Sequence, residues 1–124
     1  MNNNTLSRVG IILYALVIAF FGVSHFLNGA SFTSVVPSFI PGGIFWVYLT
    51  GVALIAAAIS FLTGKQTRIA GILLAVFLLL VVFTVHLPSV LNAPDAQAAR
   101  FPLTNLIKDT ALAAAALIIA GRGR

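Results

Sequence analysis

The stretch IAGILLAVFLLLVVFTVHL, residues 69–87, decides the fold class of this chain. It contains no Asp, Glu, Lys or Arg, and its few polar side chains lie near its end. A helix that spans the hydrocarbon core of a bilayer, roughly 30 Å thick, needs about 20 largely apolar residues at 1.5 Å rise per residue. The stretch therefore predicts a membrane-spanning helix.

Three more stretches have the same character, at residues 9–27, 44–62 and 103–120. The first two are free of charged residues, whereas the last contains Lys108 and Asp109 near its start. We expect the first stretch to be a retained helix because no small-residue cleavage site follows it. The prediction is an all-α, antiparallel bundle of four transmembrane helices in a single membrane domain, residues 1–124.

Composition excludes the soluble classes of protein. Of the 124 residues, 60% are hydrophobic and 7% are charged, against roughly 25% charged in soluble domains. The mean hydropathy is +1.12. There is no Cys, which excludes thiol redox chemistry, Fe–S clusters and Cys-based zinc sites.

Basic residues predict the orientation of the helices. The net charge is +5, but the cations lie at the ends of apolar stretches and form no patch for nucleic acid, so they indicate topology and lipid contact. If the fourth helix spans, the cytoplasmic face has five cations (Arg8, Lys65, Arg68, Arg122 and Arg124) and the far side has two (Arg100 and Lys108). Without that span the distribution is three against four, so the positive-inside rule favours four helices with both termini cytoplasmic.

The connecting segments differ in length and polarity. Residues 63–68 form a short basic turn between helices two and three. Residues 28–43 are apolar and contain Pro37 and Pro41, so we expect this segment to lie in the membrane interface or to fold back over the bundle. Residues 88–102 are more polar and are predicted to form an outer loop. Candidate helix N-caps are Thr5 or Ser7 for helix one and Thr104 for helix four.

Two patterns concern how the helices are arranged. Shifting the sequence by 61 positions aligns Gly10 with Gly71, His25 with His86 and Pro41 with Pro102. This weak repeat suggests two tandem helical hairpins related by an axis along the membrane normal. Helices two and four are also rich in small residues, among them Ala53 and Ala57, and Ala111 and Ala115, which favour close packing inside the bundle over a dimer face.

Polar and amphipathic side chains are concentrated in the outward-facing third of the predicted bundle. The candidate ligand-binding residues are His25, Trp46, Tyr48, His86, Asn105, Lys108 and Asp109. Alternative interpretations are an aromatic belt for Trp46 and Tyr48, bonds to backbone or water for the histidines, and snorkelling for Lys108. Asp109 is the hardest to explain this way because its side chain is short. A metal site formed by His25, His86 and Asp109 has no supporting spacing, so no metal is predicted.

Several segments together resemble the DoxX family of small bacterial membrane proteins. They are Gly22-Val-Ser-His25-Phe26, Val36-Pro37, Pro41-Gly42-Gly43, Phe45-Trp46-Val47-Tyr48-Leu49-Thr50-Gly51, Arg68-Ile69-Ala70-Gly71, His86 and Asn105-x-x-Lys108-Asp109-x-Ala111-Leu112. The resemblance implies a four-helix protein of the bacterial cytoplasmic membrane, with lipid contact, a link to a quinone-dependent oxidoreductase, and quinone as the candidate cofactor. Many DoxX-like chains have a Glu shortly after the Thr-Gly pair, whereas residues 52–55 here are all apolar.

Three functions remain as hypotheses, in this order. The first is a binding or accessory subunit whose outer pocket holds a quinone, a lipid headgroup or a partner's side chain. The second is a membrane enzyme that uses Asp109 and a histidine for proton transfer, although no catalytic residue can be assigned. The third is a small transporter, which the absence of polar residues in the inward half of the helices disfavours.

Overall fold

A computed structural model describes residues 2–33, 36 and 41–123 of the chain. Its elements, in chain order, are α1 (Asn3–Leu27), α2 (Gly29–Thr33), α3 (Ile44–Thr63), α4 (Thr67–Val81), a π-helical turn (Val82–His86), α5 (Leu87–Leu91) and α6 (Ala96–Arg122). Helix α4, the π-helical turn and α5 run on as one helical segment, Thr67–Leu91. The predicted all-α bundle of four long helices is confirmed.

Each of the four long helical segments is long and apolar enough to cross a membrane. They are 20 to 27 residues long, and the most apolar window of each has a mean hydropathy between 1.5 and 2.8. The chain is therefore a multi-pass membrane protein. Because the helices alternate in direction, the start of α1, the α3–α4 turn and the end of α6 share one end of the bundle, here called the terminal end. The opposite end, with α2 and α5, is called the distal end.

Small side chains occupy much of the interior, beside a few large ones such as Phe61 and Ile18, and many large apolar side chains lie on the exterior. Ala15, Ala58 and Ala116 are at most 1% exposed, whereas Phe20 and Leu27 are 67% and 78% exposed. Large apolar side chains on the outside of a bundle are stable when the solvent is lipid, and small residues inside let helix backbones approach closely.

The helices associate as two hairpins. Helix α1 packs mainly on α3, and α4 mainly on α6. A Cβ added to Gly22 would lie 2.7 Å from Ile55 Cγ1, and one added to Gly71 would lie 2.6 Å from the carbonyl oxygen of Ala116. The glycine that the repeat aligns with Gly71 behaves differently, because a Cβ on Gly10 would meet nothing within 4 Å.

The small residues that pack inside the bundle are not all those that the four-residue spacing indicated. Ala53 and Ala111 are exposed, whereas Ala57, Ala113 and Ala116 are buried. Small residues do pack inside the bundle, as the spacing predicted. The spacing did not predict which face of each helix turns inward.

Two helix starts differ from the predicted ones. Helix α6 begins at Ala96, where the Asp95 carboxylate accepts a hydrogen bond from the Ala98 N–H at 2.8 Å, so Thr104 is not the cap. Helix α1 begins at Asn3, and Asn2 caps it by accepting from the Thr5 N–H. Each of these caps lies upstream of the apolar stretch that the helix contains, so hydropathy alone placed the helix start too late.

The predicted outer loop at residues 88–102 is mostly helical. It contains most of α5 and the first two turns of α6, and only residues 92–95 connect them. Pro102 lies inside α6 and Pro88 lies at the start of α5. Pro102 lies in the second turn of α6, and Pro88 follows the π-helical turn inside the continuous segment Thr67–Leu91, so each proline removes a backbone N–H from within a helix.

The apolar connection after α1 begins by folding back over the distal end. The Phe32 ring of α2 stacks on the His25 ring with 4.5 Å between centroids, and the space beside Gly29 is filled by Tyr48. The rest of the predicted interfacial segment, including Val35, Pro37, Phe39 and Ile40, lies outside the described residues.

Candidate functional site

The site is centred on a hydrogen-bonded pair between α6 and the π-helical turn. Nε2 of His86 lies 2.7 Å from Oδ2 of Asp109, and the two side chains are 14% and 11% exposed. Apart from Thr67, Asp109 is the one buried polar residue of the described chain. The pair joins a carboxylate and an imidazole away from bulk water, where electrostatic interactions are stronger than at a surface.

The π-helical turn follows from Pro88. Proline has no N–H, so the Thr84 carbonyl loses its ordinary α-helical donor, and the proline ring crowds that carbonyl. The Leu87 N–H instead donates to the carbonyl of Val82, five residues back. One extra residue in a turn rotates the side chains before it relative to those after it, and such turns occur frequently at functional sites.

Asp109 lies at the middle of α6, which is deeper than the sequence indicated. Because the helix begins at Ala96, thirteen helical residues (96–108) precede Asp109 and thirteen (110–122) follow it. A charged residue at the centre of a spanning helix costs about 2.5–3.5 kcal/mol on insertion scales when it has no partner. His86 is that partner, which explains how the bundle tolerates the carboxylate.

Lys108 is a looser member of the cluster. Its Nζ lies 3.6 Å from Oδ1 of Asp109, and its side chain is 43% exposed. Nζ also lies 4.6 Å from the centroid of the Phe21 ring on α1, which is within cation–π range. The lysine therefore bridges α6 and α1 while its ammonium group stays accessible.

The second ring nitrogen of His86 is available to a ligand. With Asp109 as a carboxylate, Nε2–H donates to Oδ2, which leaves Nδ1 as the acceptor of a neutral ring. Nδ1 makes no hydrogen bond to the described residues. No buried side-chain N or O atom there lacks a partner. Nδ1 is therefore at the accessible surface.

The remaining predicted site residues lie toward the distal end, and His25, Trp46 and Tyr48 have other partners. Nδ1 of His25 bonds to the Phe21 carbonyl at 2.6 Å, and the Trp46 Nε1–H donates to the Pro41 carbonyl at 2.6 Å. Tyr48 stacks on Phe26. Asn105 is partly buried one turn before Asp109 on α6.

The candidate cluster is therefore His86, Lys108 and Asp109. Within the described ranges, no three side chains of His, Cys, Asp or Glu come together to hold a metal ion. His25 does not complete a set of ligands with His86 and Asp109.

Two polar contacts between helices were not predicted from the sequence, because both residues lie at or inside an apolar stretch. The Tyr14 hydroxyl donates to the Leu112 carbonyl at 2.6 Å, which ties α1 to α6 one turn from Asp109. The Arg8 guanidinium donates to the carbonyls of Phe61, at 3.0 Å, and Leu62 at the end of α3. The one feature of the sequence that could have indicated such a contact is Tyr14, whose hydroxyl lies in the middle of an otherwise apolar helix.

Comparison with known proteins gives one match. The profile of a family described as a domain of unknown function, DUF8561, matches residues 14–120. No curated protein and no solved structure matches the chain. The matched region includes most of all four long helical segments together with His86, Lys108 and Asp109. The chain therefore belongs to the DUF8561 family.

Proposed function

We propose that this protein is a DoxX-like binding or accessory subunit of a membrane redox system, and that His86 and Lys108 bind the polar head of a quinone while Asp109 orients His86. The observation that supports this is the buried Asp109–His86 hydrogen bond, which leaves Nδ1 of His86 accessible. A lipid-soluble ligand reaches such a site from within the bilayer.

The three side chains match the two oxidation states of such a ligand. A hydroquinone hydroxyl donates to Nδ1 of His86, whose tautomer Asp109 maintains. A quinone carbonyl accepts from the Lys108 ammonium, which is part-exposed and within reach of the same carboxylate. Asp109 binds no ligand in this proposal and acts by orienting the histidine.

The setting we propose for this function is the bacterial cytoplasmic membrane, with both termini in the cytoplasm. The support is the excess of basic residues at the terminal end of the bundle and the resemblance to the DoxX family. A membrane oxidoreductase is the proposed partner.

Gentle extraction tests the proposal. The native protein is purified in a mild detergent, and the co-purified small molecules and proteins are identified by mass spectrometry. The wild type is expected to retain a quinone, and Asp109→Asn is expected to lose most of it because the His86 tautomer is no longer set. Asp95→Asn is the matched control, since Asn caps a helix as well as Asp does.

A proton-transfer enzyme is the second candidate, and the same His86–Asp109 bond favours it. The two candidates differ in what the isolated protein does with added quinol and an electron acceptor. An accessory subunit leaves the quinol unreacted and co-purifies with a partner, whereas an enzyme oxidises it in a His86-dependent manner. Retention of the same small molecules by wild type and Asp109→Asn would exclude the cluster as the binding site.

A further inference from the structure

The terminal end of the bundle contains a second polar feature, separate from the His86 cluster. A cavity of about 230 Å³ opens there between the ends of all four long helical segments. It is lined by Arg8 and Ile11 of α1, Phe61 and Gly64, Thr67 of α4, and Ile119, Arg122 and Gly123. Two of its lining residues are therefore arginines from opposite ends of the chain.

These arginines have no acidic side chain to pair with. The chain has two carboxylate side chains in all, of which Asp95 caps α6 at the distal end and Asp109 pairs with His86. Arg8 uses two of its N–H groups on the carbonyls of Phe61 and Leu62, which leaves three of its five donors. Lys65 and Arg68 lie nearby in the α3–α4 turn and the start of α4 and add to the positive potential.

We propose that this cavity binds a phosphate group, and specifically the headgroup phosphate of an anionic membrane phospholipid. Arginine presents several N–H donors in a planar fork that matches phosphate oxygens. The cavity is smaller than the roughly 300–1,000 Å³ of clefts that enclose drug-sized ligands, so it suits a headgroup whose acyl chains remain outside. Its position at the end of four spanning helices places it at the depth of lipid headgroups.

The test uses the full-length protein in nanodiscs of phosphatidylcholine that contain a small fraction of phosphatidylglycerol. Native mass spectrometry counts the phosphatidylglycerol molecules retained after ejection, and titration gives the apparent affinity. The informative variant is Arg122→Gln, because Arg8 also bonds to the end of α3 and its loss would disturb the fold. Arg100→Gln removes the same charge at the distal end of α6 and is the matched control.

We expect wild type and Arg100→Gln to retain phosphatidylglycerol in preference to phosphatidylcholine, and Arg122→Gln to bind it about tenfold more weakly, as the loss of a charge-assisted hydrogen bond implies. Equal weakening in both variants would overturn the proposal, because it would show a general effect of net charge. Inorganic phosphate added to pure phosphatidylcholine nanodiscs is the second arm. If it gave the same protection against unfolding as phosphatidylglycerol, the lipid assignment would be wrong. Neither arm depends on the His86 cluster or on quinone retention.

Discussion

At the scale of single residues, Asp109 has two partners of unequal strength. His86 is 2.7 Å away and largely buried, whereas Lys108 is 3.6 Å away and 43% exposed. Solvent screens the lysine pair, so its contribution should remain below about 1 kcal/mol. Removing one member of the buried pair should leave the other unsatisfied, at a cost of about 1–3 kcal/mol.

A double-mutant cycle tests this ranking. His86→Leu and Asp109→Leu are each expected to reduce the free energy of unfolding in mixed micelles, and the double variant should lose less than the sum of the two. The cycle between Lys108→Met and Asp109→Leu should show a smaller coupling, because the lysine remains in contact with solvent and with Phe21. Strict additivity for His86 and Asp109 would show that their hydrogen bond is absent from the folded protein.

At the scale of helices, the close packing of α4 on α6 depends on Gly71. A Cβ there would lie 2.6 Å from the Ala116 carbonyl oxygen and 2.8 Å from Ala120 Cβ, and backbone atoms cannot move aside easily. Gly71→Ala should therefore destabilise the bundle by about 1–3 kcal/mol, as overpacking does. The readout is the thermal unfolding midpoint in detergent.

Gly10→Ala is the matched control, since the sequence repeat aligns Gly10 with Gly71 and the space around Gly10 is open. Alanine favours helix more than glycine does, so this variant should be neutral or slightly stabilising. If the two variants behaved alike, α4 and α6 would not approach as closely as the structure shows.

The start of α6 makes a separate prediction. Asp95→Ala removes the hydrogen bond to the Ala98 N–H and should lower the free energy of unfolding by about 1 kcal/mol. Thr104→Ala should have little effect, because Thr104 lies inside the helix and bonds to the carbonyl of Arg100. The reverse order of effects would make Thr104 the N-cap and would start the helix at Asn105 instead.

At the scale of the whole molecule, the fold predicts which loops share a membrane face. Lys65 lies in the turn at the terminal end, and Asn92 lies in the short connection at the distal end. Because the chain has no cysteine, Lys65→Cys and Asn92→Cys each introduce a single reactive thiol.

A membrane-impermeant thiol reagent applied to intact cells should label Asn92→Cys and should reach Lys65→Cys only after permeabilisation. This result follows from the positive-inside rule applied to the basic terminal end. Labelling of Lys65→Cys alone would invert the predicted orientation, and labelling of both thiols in intact cells would contradict the single span, Thr67–Leu91, that separates them.

The sequence by itself determined the number of spanning helices. The bilayer thickness sets the length of apolar stretch that a spanning helix needs, and such a stretch is recognised from consecutive residues without knowledge of the fold. It also determined which residues are chemically unusual, since a carboxylate or an imidazole in an apolar stretch needs no structure to be recognised. Asp109, His86 and Lys108 were identified in this way.

Only the tertiary structure decided that Asp109 meets His86 while His25 bonds to its own helix. In a water-soluble protein, apolar residues mark the face of a helix that turns inward. In lipid both faces are apolar, so the hydropathy pattern does not predict which face of each helix turns toward the other helices. Here rotation depends on Gly22 and Gly71 at the helix contacts and on the π-helical turn before Pro88. The glycine contacts join residues that are distant in the sequence, and together with the π-helical turn they help to place the imidazole beside the carboxylate.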